Sequence, residues 1–437
     1  MRTRRGWSWD ELATRLRGQA QALRVTRIAS AKVSSVKRTI ARWEAGTNTP
    51  DEQYQLLLGH VYARTALDAV ALGPGSDFRE YLYALAEMGV DQARIDEVET
   101  TVVSAVTDAG MSLLAYLGAP LRTGLAAALA KPESLDLAVV DGLRAASDAV
   151  NVQIGSVPFV RLHLAQAAIV DACRHLLRGE HRNEVRTGLQ RAASRAYALA
   201  ARISFETHDD EAARRLYEDA VIAAGPAAPS QRALIRSSQT MVVYYSTGDL
   251  GQARQIADLA VTDARRGPSM LMRARAHALQ AEMAARGEPS QHRHAHAALH
   301  SAWHDLDSDT SDDPMDGVFS KGRLRGFEGV CGIFLGNADA AAQQLDQSVK
   351  TLTRPRDAVQ RAIVLTDHAL ARIRAGGAGS AEAAAHQLHE CVDLTAGTRA
   401  RVPAQRLQQA RLELRPWRRE AFVADLDDHI LTALIGV

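Results

Sequence analysis

Apolar side chains recur along this chain at helical spacing, in segments of helix length that end near prolines. Residues 33–44 give the sharpest example. Val33, Val36, Ile40 and Trp43 fall within about 80° of one another on a helical wheel, Ser34, Ser35, Arg38 and Arg42 lie opposite, and Gly46 stops the pattern. Upstream, Ser8 can cap a helix that carries Leu12, Leu16 and Leu23 on one stripe and continues to about Arg24. Downstream, Thr49-Pro50-Asp51-Glu52 reads as a helix start, with proline at the first helical position and acids in the first turn. The breakers Leu72-Gly73-Pro74-Gly75-Ser76 close this segment, and Ser76 or Asp77 can cap a helix beginning at Phe78. Long helices follow over 134–152 and 158–177. Strand-forming runs are short, so the pattern predicts an all-α chain.

From about residue 181 a loose repeat sets in, a short polar turn followed by an alanine-rich helix. It shows at His208-Asp209-Asp210-Glu211, Gly248-Asp249-Leu250-Gly251, Asn337-Ala338-Asp339-Ala340 and Gly379-Ser380-Ala381-Glu382, with another copy around Pro289 to Ala295. Ala213, Ala253, Ala295, Ala342 and Ala384, taken as equivalent, lie 40, 42, 47 and 42 residues apart. That is the period of a helix-pair solenoid, in which alanines let paired helices approach and each pair buries its apolar face on its neighbours. Three parts are expected: an N-terminal domain over 1–76, linking or capping helices over 77–180, and a repeat array over 181–437.

Composition supports more than one module, since the 437 residues exceed the roughly 250–300 at which single cores stop growing. Cys173, Cys331 and Cys391 are odd in number and lack metal-ligand spacing, which fits buried free thiols. No apolar run reaches the roughly 18 residues of a membrane span, and the basic N-terminus lacks a signal peptide's apolar stretch, so a cytoplasmic protein without membrane contact is expected. The net charge of +1 hides an asymmetry. Residues 1–50 carry eleven Lys or Arg against Asp10, Glu11 and Glu44, so the nucleic-acid footprint is confined to the first segment.

Arg5-Gly6-Trp7-Ser8, Glu11-Leu12-Ala13, Ile40-Ala41-Arg42-Trp43-Glu44-Ala45-Gly46 and Pro50 together resemble the XRE (Cro/repressor-like) helix-turn-helix family. The resemblance implies that the helix over 33–44 enters the major groove of double-stranded DNA. By position, Ser35, Lys37, Arg38, Ala41 and Arg42 would form the base-facing set, with Arg42 near the backbone; Arg4, Arg5, Thr47 and Asn48 would meet phosphates. Two departures stand out. Only Met1 to Arg5 precede a stretch before which the family has a complete helix, and fifteen residues, Gly18 to Lys32, fill a connection it makes in a few. Either the chain begins downstream of its natural start or the domain lacks part of its first helix. Arg24, Arg27 and Lys32 in the wider loop could reach phosphates. The whole chain resembles a subgroup of these regulators with a tetratricopeptide-like C-terminal region, through Gly73-Pro74-Gly75-Ser76-Asp77-Phe78, Ala302-Trp303, Asp312-Asp313-Pro314 and the repeat turns.

Within the array, Arg232, Arg236 and Gln239 share one side of a helix that ends at Tyr244 and Tyr245, an arrangement able to hold the backbone or carboxylate of a peptide effector. His292, His294, His296, His300 and His304 crowd one helix, but its core stripe of Ala295, Ala298, Leu299, Ala302 and Trp303 turns them toward solvent, so no metal is assigned. The acidic run Asp305 to Asp313 lacks the glycine and glutamate of a calcium loop and reads as a surface loop. No enzyme motif is present and no cofactor is expected. The reading is a homodimeric, sequence-specific transcriptional regulator whose array binds a peptide, small molecule or protein. Its rival is an interaction scaffold whose helix-turn-helix remnant no longer reads DNA.

Overall fold

The structure, a computed structural model, describes residues 1–65, 69–108, 117–157, 159–317 and 319–434. Every regular element among them is helical, with two isolated bridges, Arg64 to Val70 and Ile154 to Val157. The chain divides into two compact units, Met1–Val150 with Val160–Ala192 and Asn151–Phe159 with Ala193–Val437. Helices α1 (Trp9–Ala22), α2 (Thr26–Ala29), α3 (Val33–Glu44), α4 (Glu52–Tyr62), α5 (Asp77–Glu87), α6 (Gln92–Asp108), α7 (Ala119–Ala130), α8 (Leu137–Val152) and α9 (Phe159–Leu176) belong largely to the first unit. No described helix is long and apolar enough to cross a membrane.

In the first unit α1 packs on α2, α3 and α4. Its start is set by a capping box: the Ser8 side chain accepts from the Glu11 amide, and the Glu11 carboxylate accepts from the Ser8 amide at 2.6 Å. Two first-turn amides are satisfied in this way. Ser8→Ala should therefore cost about 1 kcal/mol, read as a lower denaturant midpoint. The helix stops at Ala22, short of Arg24, because Arg24 takes a left-handed conformation (φ 58°) that reverses the chain. Val25 and Ile28 are then buried, as Leu16 and Leu23 are, and the stretch expected to be a wide loop holds the one-turn helix α2. Only Ser30, Ala31 and Lys32 separate it from α3.

The helix α4 begins one step later than the sequence suggests. Asp51 is its cap, accepting from the Tyr54 amide at 2.9 Å, so Pro50 precedes the cap instead of occupying the first helical position. Arg94 of α6, only 2% exposed, braces α4 by donating to the Gln55 side chain and the Glu52 carbonyl, each at 3.0 Å. His60 on α4 is fully buried, and burial, then the charge of Arg64, push its pKa down to about 4. The unfolded chain takes up this proton near pH 6.5, the folded one only near 4. The associated stability is whole above pH 6.5 and is lost as pH falls toward 4. Urea midpoints across that window should fall in the wild type, and His60→Gln should flatten the fall.

The second unit is built from the end of α10 (Asn183–Glu206), α11 (Asp210–Ala224), α12 (Pro229–Thr247), α13 (Leu250–Arg266), α14 (Met270–Ala285), α15 (His292–Asp307), α16 (Lys321–Phe334), α17 (Ala338–Val349), α18 (Ala358–Ala375), α19 (Ser380–Thr398), α20 (Arg401–Glu413) and α21 (Ala421–Ala433). Helices pair as α12 with α13, α14 with α15, α16 with α17 and α18 with α19, while α12, α14, α16, α18 and α20 touch in succession. The polar turns do what their residues favour. Gly248 is left-handed (φ 71°) at the end of α12, Asp249 caps α13 through the Gln252 amide, and Asp209 caps α11 through that of Ala212. Ala213, Ala253, Ala295 and Ala384 are fully buried; in the remaining copy the buried position is Ala341, with Ala342 only half-buried.

Helices α16 and α17 approach closely: a Cβ on Gly329 would collide with the Leu345 side chain and lie 3.1 Å from the Ala341 carbonyl. Gly329→Ala should destabilise the unit by about 1–3 kcal/mol, seen in thermal unfolding. The three cysteines are buried and free, and burial pushes the thiols of Cys173 and Cys391 up to about 12.

Candidate nucleic-acid interface

Helix α3 is anchored from beneath. Val36 and Ile40 are 1% exposed and Trp43 is 6% exposed, with the Trp43 ring meeting that of Tyr54 edge-on at 4.8 Å. Val33 is only half-buried, because the stripe enters the core a turn later. The opposite side carries the expected base-facing set: Arg38 and Arg42 are exposed, and Ser35, Lys37 and Ala41 are half-exposed. Among the described residues no carboxylate pairs with Arg38 or Arg42. Lys37 Nζ meets Asp10 Oδ2 at 2.7 Å, a solvated pair worth about 0–1 kcal/mol and easily exchanged for another anion.

Glu44, the one acid of α3, is taken up by the N-terminus. Arg2 grips it bidentately at 2.6 and 2.8 Å, and the Trp9 indole donates to it at 2.7 Å. These bonds, Arg2's first, hold its carboxyl below the usual range. The residues before α1 thus neutralise the acidic end of α3, leaving its outer face cationic.

The expected phosphate set divides. Thr47 and Asn48 are exposed in the turn after α3, where the Thr47 hydroxyl donates to the Arg42 carbonyl at 2.8 Å. Arg5 is not placed to reach a phosphate. Its side chain is 7% exposed, lies over the rings of Trp7 and Tyr62, and is paired with Asp77. Arg4 is half-exposed but bonded to Asp77 and Glu80. Arg24 pairs with Asp171 at 3.1 Å and Arg27 with Asp51 at 3.2 Å, which leaves Lys32 as the exposed cation of that group.

In the second unit Arg232 and Arg236 do not stand free for an effector. Both turn to Asp263 of α13, itself 2% exposed, at 3.3 and 2.8 Å. Gln239 is half-buried, and Tyr244 lies under the Arg286 guanidinium, whose Nη1 donates to its hydroxyl at 3.2 Å. The main polar feature of this unit is a charge cluster the sequence reading missed. Arg406 of α20 donates to Glu282 at 3.1 Å, to the Tyr245 hydroxyl at 2.6 Å and to Asp367, while Arg286 holds Glu282 at 2.7 Å. Burial pushes the Glu282 carboxyl up, but Arg286 and Arg406 outweigh it and hold it low; at Asp367 burial wins over Arg406 and holds the carboxyl above its ordinary range. Glu282 and Arg286, four apart inside an alanine-rich run, were the one signal available in sequence.

Four of the five histidines of α15 face outward as expected, His294, His296, His300 and His304 being exposed, while His292 is half-buried and Trp303 is half-buried at the edge of the stripe. Among the described residues no group of three or more His, Cys, Asp or Glu comes together as metal ligands do. A scan against protein-family models and searches of curated proteins and of solved structures return no match.

Proposed function

We propose that the chain is a sequence-specific DNA-binding transcriptional regulator that reads the major groove with α3 and pairs and senses through its tetratricopeptide-like helical array. The observation that carries this reading is the outer face of α3, where Arg38 and Arg42 are exposed without a carboxylate partner among the described residues, on a helix locked from below by Val36, Ile40 and Trp43. The short α2, a three-residue turn and α3 have the connection expected of a helix-turn-helix, with α1 in the scaffolding position. Arginine on such a helix can bond guanine O6 and N7, and the exposed Thr47 and Asn48 would set the register on the backbone. Single domains of this kind gain affinity from two half-sites about one DNA turn apart, which calls for a homodimer.

In vitro selection of DNA bound by the full-length protein tests the reading. An enriched palindrome is the expected result, and its affinity should fall steeply with salt. Recovery of no sequence motif would leave the scaffold reading in its place.

A further inference from the structure

We propose that the groove between α13 and α15, floored by α14, binds an elongated small molecule with an acidic group at each end. The cavity holds about 440 Å³, within the range of small-ligand sites. Its two ends are marked on one face of α13 by Arg254 and Arg265, eleven residues or about three helical turns apart, which sets their backbones roughly 16 Å apart. Between them Met283 and Ala284 of α14 are buried and give the floor an apolar part, beside which stand Gln280 of α14 and Asp258 of α13. That apolar part suits a short hydrocarbon chain.

Both guanidiniums are poised for an anion. Arg254 donates to the neutral side chain of Gln291, and Arg265 Nη2 lies 3.3 Å from His277 Nε2; among the described residues neither has a carboxylate partner. Arg232, Arg236, Arg286 and Arg406 in the same unit all do. The His277 ring is itself fixed. Asp305 lies 2.9 Å from its Nδ1 and can only accept, so Nδ1 donates and Nε2 is aimed at Arg265. Asp258, the acid of the groove, is exposed, stands one helical turn from Arg254, and accepts from the Gln280 amide at 2.7 Å. A carboxylate at either end would exchange a neutral partner for a charge-assisted, bidentate one, and the distance between the ends selects for length.

This site names the effector class of the sensing array, and to that extent it rests on the proposed function. Calorimetric titration of the full-length protein with sebacate, a linear dicarboxylate, tests it beside decanoate and decane-1,10-diol. Sebacate should bind saturably, decanoate about tenfold or more weaker, and the diol not at all. Arg254→Gln and Arg265→Gln, both at solvent-accessible positions, should each bring sebacate to the level of decanoate while thermal unfolding stays unchanged. Absence of saturable heat with sebacate, equal binding of the diol, or wild-type affinity in both variants overturns the inference. A chain that selects a DNA motif yet gives no heat sinks this site alone; one that binds sebacate and selects no DNA sinks the regulator reading alone.

Discussion

Arg406→Ala should destabilise the C-terminal unit by about 3–5 kcal/mol, the cost of leaving buried carboxylates without their cation. The guanidinium meets three acceptors from three helices, Tyr245 on α12, Glu282 on α14 and Asp367 on α18, all within a region from which water is largely excluded. Glu282 retains Arg286, so the larger share of the loss falls on Asp367, whose carboxyl burial already lifts above its ordinary range. The damage should accordingly be relieved as pH falls, because a protonated Asp367 no longer needs a cation. Arg406→Met combined with Asp367→Leu removes both charges and should recover most of the stability, as apolar replacements of buried ion pairs commonly do. Denaturant midpoints at pH 5 and pH 8 measure each point. A loss under 1 kcal/mol for Arg406→Ala would mean that the cluster is hydrated in solution.

That cluster also shows where sequence reading stops. Helix existence is written locally: Ser8 with Glu11, Ser76, Asp209 and Asp249 each cap the helix they precede, and the buried alanines mark four of the five expected repeat positions. Helix α3 was legible for the same reason, since its apolar and cationic faces lie within one twelve-residue segment. Arg406, by contrast, lies 124 residues from Glu282 and 39 from Asp367, and no local spacing records such a meeting. Arg5 failed in the same way. Its motif position suggested a phosphate, but the partner that claims it, Asp77, belongs to the cap region of another helix. The break at Arg24 was illegible because a left-handed arginine has no composition signal of the kind glycine provides.

On the DNA motif that the proposed function calls for, Arg38→Ala should lose about 1–3 kcal/mol of binding free energy, while binding to unrelated DNA should change little. The side chain is exposed on the outer face of α3 and has no intramolecular partner among the described residues, so its removal takes nothing from the fold. Arg42→Ala, one turn further along and nearer the Thr47 turn, should weaken binding to all sequences alike and reduce the salt slope by about one. Arg5→Ala provides the contrast. Because that guanidinium is buried over Trp7 and Tyr62 and paired with Asp77, its loss should lower the unfolding midpoint of the first unit before it alters the affinity of the folded protein. Fluorescence anisotropy on specific and scrambled duplexes at several salt concentrations, with a melt of each variant, separates the three outcomes. If Arg38→Ala weakened both duplexes equally, α3 would be holding the backbone and some other element would be reading the bases.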